Sequence, residues 1–193
     1  MTSAATDHVS RAIERYRDVQ TYQVTLRSKD EVIRYFYKKP GFIRMEFVKP
    51  HKGALLVYDP VKKKVRLRPF DILKPFVLTL NPDSSLIRSP KGHTVDKSDI
   101  GELLETAKRL QEKGKTEVLG EEAVGGRSSL RIKVEGDNGY AVDGIHRYIL
   151  WFDNKSWLPV KAASYDAKDK LIEDVSMDDL EINVELEEAL FDL

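Results

Sequence analysis

The feature that most constrains the fold is an alternation of apolar and polar residues with a period of two. It is clearest at Tyr22, Val24 and Leu26, which alternate with polar residues. Successive side chains of a β-strand point to opposite faces, so this pattern predicts antiparallel strands that each have one apolar face. The predicted strands cover residues 22–26, 33–37, 43–47, 54–58, 65–68, 115–119, 127–135, 145–153, 158–165 and 171–184.

Two segments have helical periodicity instead. Residues 7–20 place apolar side chains at helical spacing, which predicts an amphipathic helix. A second apolar stripe begins at Ile100; Asp96 or Ser98 can cap the N-terminus of this helix, and Gly114 is expected to end it. A last helical turn is predicted near the end of the sequence.

The segment 69–90 is apolar, yet it contains four of the eight prolines. Proline cannot donate a hydrogen bond to a β-ladder, so no central strand is expected there. Such a connection is typical of a segment that lies over a core or forms a lid. A short helix is predicted from Pro75 through Leu80.

Strands interrupted by two helices indicate a mostly β or α+β fold. The orderly succession of antiparallel strands favours a single, strongly curved sheet whose concave face is covered by the helices. The sequence has no repeat of fixed period and no low-complexity linker. Residues 1–193 are therefore expected to form one domain.

Composition excludes several function classes. The chain has 32 basic and 32 acidic residues, and the domains that bind nucleic acids are usually clearly basic. We therefore expect no nucleic-acid partner. The charge is unevenly distributed, because residues 1–100 carry a net charge of +9 and residues 101–193 a net charge of −9. No basic residue follows Lys170.

The usual signatures of catalysis are missing from the sequence. It has no cysteine, and its four histidines lack the spacing of metal ligands. Neither a nucleotide-binding glycine motif nor a nucleophile elbow occurs. We therefore expect no catalytic residue, no metal and no cofactor, and a protein that is not an enzyme. The basic run 62–64 could meet an anionic surface, although a solvated hairpin tip is the favoured interpretation.

Several stretches resemble a known family. Residues 37–47, Tyr-Lys-Lys-Pro-Gly-Phe-Ile-Arg-Met-Glu-Phe, followed by Lys49-Pro50, are similar to bacterial outer-membrane lipoprotein-sorting proteins. These form the LolA/LolB-like superfamily, which includes RseB-like relatives. Further similar stretches are Leu56-Val57-Tyr58-Asp59-Pro60, Leu150-Trp151-Phe152-Asp153, Leu158-Pro159-Val160, Tyr165-Asp166 and the ending from Asp179 to Phe191.

The resemblance implies an incomplete antiparallel barrel with a hydrophobic concavity covered by helices. It also implies a non-enzymatic periplasmic carrier that binds the acyl chains of a lipoprotein or a lipid, as in outer-membrane biogenesis. The expected partners are this cargo and membrane-associated donor and acceptor proteins, and a monomer is expected. A periplasmic location requires a signal peptide that this sequence does not include. The alternative is an RseB-like envelope sensor or interaction module.

Alternate residues of a strand lie on the same side, so the apolar side of each predicted strand supplies candidate cavity-lining residues. The helix and the proline-rich segment predicted to cover the sheet supply further candidates. The family's lid-contacting basic residue falls on Lys39, where the family has arginine, and the family's turn glycine before Leu-Pro is Trp157 here. The candidate lining residues are Val24, Leu26, Ile43, Met45, Phe47, Phe76, Leu80, Leu103, Leu104, Leu130, Ile132 and Trp151.

Overall fold

The computed structural model describes residues 7–69, 76–89 and 92–193. The two α-helices are His8–Arg17 (α1) and Ile100–Glu112 (α2). Short 3-10 turns occur at Val95–Lys97, Asp137–Gly139 and Glu188–Phe191. The strands are Thr21–Arg27 (β1), Val32–Lys38 (β2), Phe42–Lys49 (β3), Leu55–Asp59 (β4), Lys64–Arg68 (β5), Leu78–Leu80 (β6), Gly114–Val124 (β7), Arg127–Gly136 (β8), Arg147–Asp153 (β9), Pro159–Tyr165 (β10) and Leu171–Ile182 (β11).

The strands form one antiparallel sheet in the order β6-β5-β4-β3-β2-β1-β11-β10-β9-β8-β7, and this sheet is not closed. A mostly β fold built on an open antiparallel sheet with two α-helices is therefore confirmed. The chain divides into two compact units. The helix-bearing unit comprises residues up to Asp18 and residues 100–172, and the strand unit comprises residues 19–99 and 173–193.

Three of the sequence-based expectations about the helices are wrong. The predicted helix that ends at Leu80 is replaced by the edge strand β6, because Leu78 and Leu80 pair with Leu67 and Val65 of β5. Pro75 lies outside the described residues. Asp96 is not the N-cap of α2, because it lies within the 3-10 turn that precedes this helix.

Gly114 does not act as a helix-ending glycine, because it is the first residue of β7 and does not have a positive φ. A Cβ atom at this position would lie 2.0 Å from the carbonyl oxygen of Glu135. The glycine is needed because β7 approaches the backbone of β8 very closely there. The strand it begins also extends to Val124, beyond the predicted end.

In the helix-bearing unit, α2 packs against β7 and β8. The fully buried Ile132 and Val134 of β8 alternate with the more exposed Arg131 and Lys133, so the apolar side of this strand forms the core. The buried residues of α2 are Ile100, Leu104, Ala107 and Leu110.

The N-terminus of α1 is fixed by a polar network within this unit. Asp7 is the N-cap, and it accepts a hydrogen bond of 3.0 Å from the backbone N–H of Ser10. Its carboxylate also lies 2.7 Å from Nζ of Lys108 and accepts a hydrogen bond of 3.1 Å from Gln111. Burial alone would raise the pKa of Asp7, but the hydrogen bonds from Lys108, Ser10 and Gln111 outweigh it and hold this pKa well below the ordinary value.

We expect this network to make stability depend on acid. Since the folded pKa of Asp7 is depressed, its contribution is present above about pH 4 and is lost as the pH falls below that value. Asp7→Asn should keep the cap but lower the free energy of unfolding by about 0.5–1 kcal/mol at pH 7, since the carboxylate is partly exposed.

Urea unfolding at several pH values measures this effect. The difference between wild type and Asp7→Asn should shrink from pH 4 to pH 2, and Lys108→Gln should weaken the same pH dependence. A difference that stays constant over this range would contradict the assignment of the charged carboxylate.

Candidate functional site

The strand unit has one continuous apolar face across β1–β6. Hydrogen-bonded register aligns its side chains in three rows that run across the strands. The first row is Tyr22, Tyr37, Ile43, Tyr58, Val65 and Leu80; the second is Val24, Tyr35, Met45, Leu56, Leu67 and Leu78; the third is Leu26, Ile33 and Phe47. We call these fifteen residues the apolar face.

The exposure of this face increases from the first row to the third. All first-row residues except Leu80 are buried, whereas Leu26, Ile33 and Phe47 of the third row are all only half-buried. The second row is mixed, with Tyr35 buried and Met45 half-buried. The third-row end therefore keeps apolar surface that a ligand could still remove from water.

The buried part of this face contains stacked tyrosines, and the hydroxyl of Tyr35 has a hydrogen-bond partner. Tyr22 stacks on Tyr35 and on Tyr37, with ring centroids 5.9 and 4.9 Å apart. The hydroxyl of Tyr35 lies 3.1 Å from Oγ of Ser98. Burial, together with the charge of Asp99, raises the pKa of Tyr35 far above its ordinary value. The phenol therefore stays neutral, and the face carries no charge there.

Six of the predicted lining residues belong to this face. Val24 and Ile43 are buried, and the other four are half-buried: Leu26, Met45, Phe47 and Leu80. Phe76 precedes β6 and is 51% exposed. Lys39 lies in the turn after β2, where its backbone N–H donates to the carbonyl of Gln20 at 2.9 Å. Its role as a lid contact stays a prediction.

The other predicted residues lie in the helix-bearing unit. Leu104 and Ile132 are buried, whereas Leu103 and Leu130 are half-buried. Leu130 and Ile132 lie opposite Phe152 and Leu150 of β9 in register, so these four residues share one face. The register does not bring Trp151 to this face.

Trp151 lies opposite Arg131 in register, on the other face of the sheet. Its indole N–H donates to Glu122 at 2.9 Å, and Nζ of Lys161 lies 4.7 Å from its ring centroid. Alternation shows which residues of one strand share a side. Only the pairing register between β8 and β9 shows whether Trp151 lies on the same side as Ile132. The sequence pattern could not supply that register.

Trp157 occupies the position where the resembling family has glycine. Its φ of +61° lies in the left-handed region, which glycine adopts without strain. The indole ring stacks on His8 with centroids 5.6 Å apart, and Cζ of Arg11 lies 3.7 Å from its centroid. The tryptophan therefore joins the β9–β10 turn to α1 within the helix-bearing unit.

Sequence reasoning missed a second surface in the strand unit. Residues 184–193, which we call the C-terminal strap, cross the opposite face of the sheet and pack on β3 and β4. Buried Phe191 of the strap forms a cluster with Phe36 and Val57. The sequence signal that could have indicated this surface is the charge pattern. The acidic C-terminal stretch lies in one unit with residues 19–99, which form most of the basic first half.

The described residues give no sign of a metal centre or a membrane-spanning helix. No group of three or more histidine and carboxylate side chains among them could hold a metal ion. Within the same residues, neither helix is long and apolar enough to cross a bilayer.

Solved structures share this fold. An uncharacterized conserved protein from Thermus thermophilus has a TM-score of 0.59 and 14% identity, over 98% of this chain and 93% of that chain. Lipoprotein LppX from Mycobacterium tuberculosis has a TM-score of 0.58 and 9% identity, over 93% and 95%. MucB in the Pseudomonas aeruginosa MucA/MucB complex has a TM-score of 0.52 and 16% identity, over 99% and 61%.

These likenesses are all at 16% identity or less, and they show a shared fold that agrees with the one implied by the sequence resemblance. A search of curated protein sequences found no match. A family profile, however, matches residues 10–193, which is nearly the whole chain. The chain thus belongs to the family described as "Protein of unknown function (DUF1571)".

Proposed function

We propose that the protein is a non-enzymatic carrier that holds an acyl chain, of a lipoprotein or a lipid, against the apolar face. The observation that carries this proposal is the exposure gradient of that face. All first-row residues except Leu80 are buried, whereas the third-row residues Leu26, Ile33 and Phe47 are only half-buried. The apolar surface that stays partly open along this end is surface that an acyl chain could still remove from water.

The energetics of an acyl chain fit such a face. Each buried methylene group contributes about 0.8 kcal/mol, so a chain of a dozen methylene groups gains about 10 kcal/mol on leaving water. Binding needs apolar walls and no fixed polar partner. The neutral phenol of Tyr35 and the aliphatic and aromatic residues of the rows meet this need.

The biological setting is part of the same proposal. Lipoprotein LppX shares the fold, and this likeness favours a location in the bacterial envelope. We place the protein in the periplasm, where a carrier would exchange cargo with membrane-associated donor and acceptor proteins. We also propose that residues 1–193 fold as one domain, which a single cooperative transition in calorimetry would support and two separate transitions would contradict.

Binding of a fluorescent fatty acid by the purified protein tests the carrier function. Leu26→Lys places a charge on the third row and should weaken binding at least ten-fold, or about 1.4 kcal/mol, because the ammonium group must stay hydrated. Thr25→Lys is the matched control, since it adds the same charge one residue away on the opposite face.

The control variant should bind like wild type. Equal binding by both lysine variants would contradict the assignment of the apolar face. Native mass spectrometry of protein purified from bacterial membranes adds an independent test. Absence of any co-purified lipid, together with no binding of the fluorescent fatty acid, would contradict the carrier function itself.

A second candidate function has one specific observation in its favour. The MucB structure with the same fold was solved as a MucA/MucB complex, so a relative in fold binds a protein partner. By this alternative the protein is an RseB-like envelope sensor or interaction module. A pull-down that recovers one membrane regulator without lipid would favour this function over the carrier.

A further inference from the structure

The surface beneath the C-terminal strap is built like a peptide-binding site. It lies on the side of β2–β5 opposite the apolar face, and register aligns Phe36, Arg44, Val57 and Arg66 in one row across the four strands. Aromatic and aliphatic side chains thus alternate with arginines. This row and its neighbours on the same side form what we call the basic face.

Most of the polar contacts that hold the strap are made to its backbone. Arg66 donates from Nη2 to the carbonyl oxygen of Phe191 at 2.8 Å and from Nη1 to a main-chain oxygen of Leu193 at 3.1 Å. Arg44 donates from Nη1 to the carbonyl oxygen of Leu190 at 2.7 Å. Carbonyl oxygens are common to every peptide, so these bonds recognise an extended segment without requiring this sequence.

Apolar anchors provide the specificity. Phe191 is 6% exposed and packs in the cluster with Phe36 and Val57, and its ring lies 5.9 Å from that of Phe42. Other strap residues that pack against this cluster are Leu186, Leu190 and Leu193. The arrangement resembles the binding of an amphipathic peptide in an apolar groove.

The charges of the two surfaces are complementary. The basic face carries six basic residues and only two acidic ones, and the strap carries four acidic residues and no basic one. Two of these acids form weak ion pairs, since Glu188 and Asp192 are 93% and 81% exposed and lie 3.6 and 3.7 Å from Lys38 and Arg66. The basic residues are Arg34, Lys38, Arg44, Lys64, Arg66 and Arg68; the acidic residues of the strap are Glu185, Glu187, Glu188 and Asp192.

We propose that the basic face is a docking site for an acidic amphipathic segment of a partner protein, and that the strap occupies this site in cis until such a segment displaces it. The strap follows Asn183, whose φ of +55° ends β11, and its one regular element is the 3-10 turn. Few backbone bonds must therefore break when it leaves. Because the strap lies on the side of the sheet opposite the apolar face, this proposal does not rest on the proposed carrier function.

A labelled peptide tests the site in the full chain. The probe is a fluorescein-labelled peptide with the sequence of residues 184–193, and the variant Leu190→Ala/Phe191→Ala weakens the strap in cis. We expect the probe to bind this variant at least ten-fold more tightly than wild type. Adding Arg44→Gln and Arg66→Gln should then weaken binding about ten-fold, because hydrogen bonds from charged donors are lost.

Two control peptides separate the contributions. A scrambled peptide of the same composition tests the apolar spacing, and a peptide with its four acids replaced by lysine tests the charge. Neither should bind measurably. Binding of the lysine peptide as tight as that of the probe would overturn the charge selection, and absence of saturable probe binding by a folded variant would overturn the site.

Hydrogen exchange of the wild-type chain gives a readout that does not require the variant to fold. An excess of unlabelled peptide should speed exchange in residues 186–193 and leave β3 and β4 protected. No change at saturating peptide would contradict displacement. A concentration-dependent dimer with exchanged straps would show that the occupant is a second copy and would overturn the proposed partner.

Discussion

Leu104→Ala is expected to lower the free energy of unfolding by about 2–5 kcal/mol, as for other fully buried leucines that leave a cavity. Leu104 is 1% exposed, and its helix α2 packs on α1, β7 and β8. The loss combines the transfer of the removed methyl and methylene groups with the cavity that the sheet cannot refill. Urea unfolding followed by circular dichroism measures it, with the denaturant slope expected to stay unchanged.

The neighbouring residue provides the control. The sequence pattern predicts that Leu103 lines the same cavity, but Leu103 is only half-buried in the structure. Leu103→Ala should therefore cost about 1 kcal/mol or less, because little apolar area is returned to water. An equal loss in the two variants would mean that α2 buries a different side. In the fatty-acid assay, a loss of binding by Leu103→Ala alone would support a ligand contact at that position.

Gly114→Ala is expected to destabilise the protein by about 3 kcal/mol, near the upper end of the usual range for overpacking. The added Cβ would lie 2.0 Å from the carbonyl oxygen of Glu135 and 2.8 Å from Cα of Gly136. Both are backbone atoms, so no side-chain rotation can relieve the contact. The pairing of β7 with β8 has to open where the two strands meet.

Whether Gly114→Ala lowers or raises the free energy of unfolding shows whether the close backbone contact at Gly114 exists. Gly114 does not have a positive φ, so without the contact an alanine would stabilise the strand by about 0.5–1 kcal/mol. Lys115→Ala, at the exposed neighbour in β7, controls for general effects and should change stability by less than about 0.5 kcal/mol. A stabilising Gly114→Ala would show that the backbones separate freely there.

The spacing of apolar and polar residues along the chain was sufficient to predict most strands and both α-helices. It was insufficient to predict the strand at the edge of the sheet. The period-two segments are strands, and α1 begins after Asp7 as the capping residue predicts. The helix predicted before Leu80 is wrong, because helix propensity at Pro75 says nothing about a pairing partner such as Val65 of β5. A helix cap depends on a hydrogen bond between residues three positions apart, so the local sequence is enough to predict it. An edge strand forms only by pairing with another strand, which the local sequence does not contain.

The candidate site was also predicted only in part from the sequence. Alternation within each strand was enough to select Val24, Leu26, Ile43, Met45 and Phe47, which the structure brings to one face. The same reasoning added Trp151 to Leu130 and Ile132, although the register of β8 and β9 places Trp151 on the other side. Parity is a property of one strand, and a shift of one residue between strands exchanges the faces.

By itself the sequence determined most of the strands that the structure describes, with β6 as the exception. It also determined which side of those strands is apolar, and that the charge of the two halves is opposite. These properties depend on neighbours a few residues apart. The tertiary structure alone decided which strands align their apolar sides, where two backbones approach so closely that only Gly114 fits, and where the acidic strap lies. Those properties depend on contacts between residues far apart in the chain, such as Arg66 and Phe191, and no local pattern encodes them.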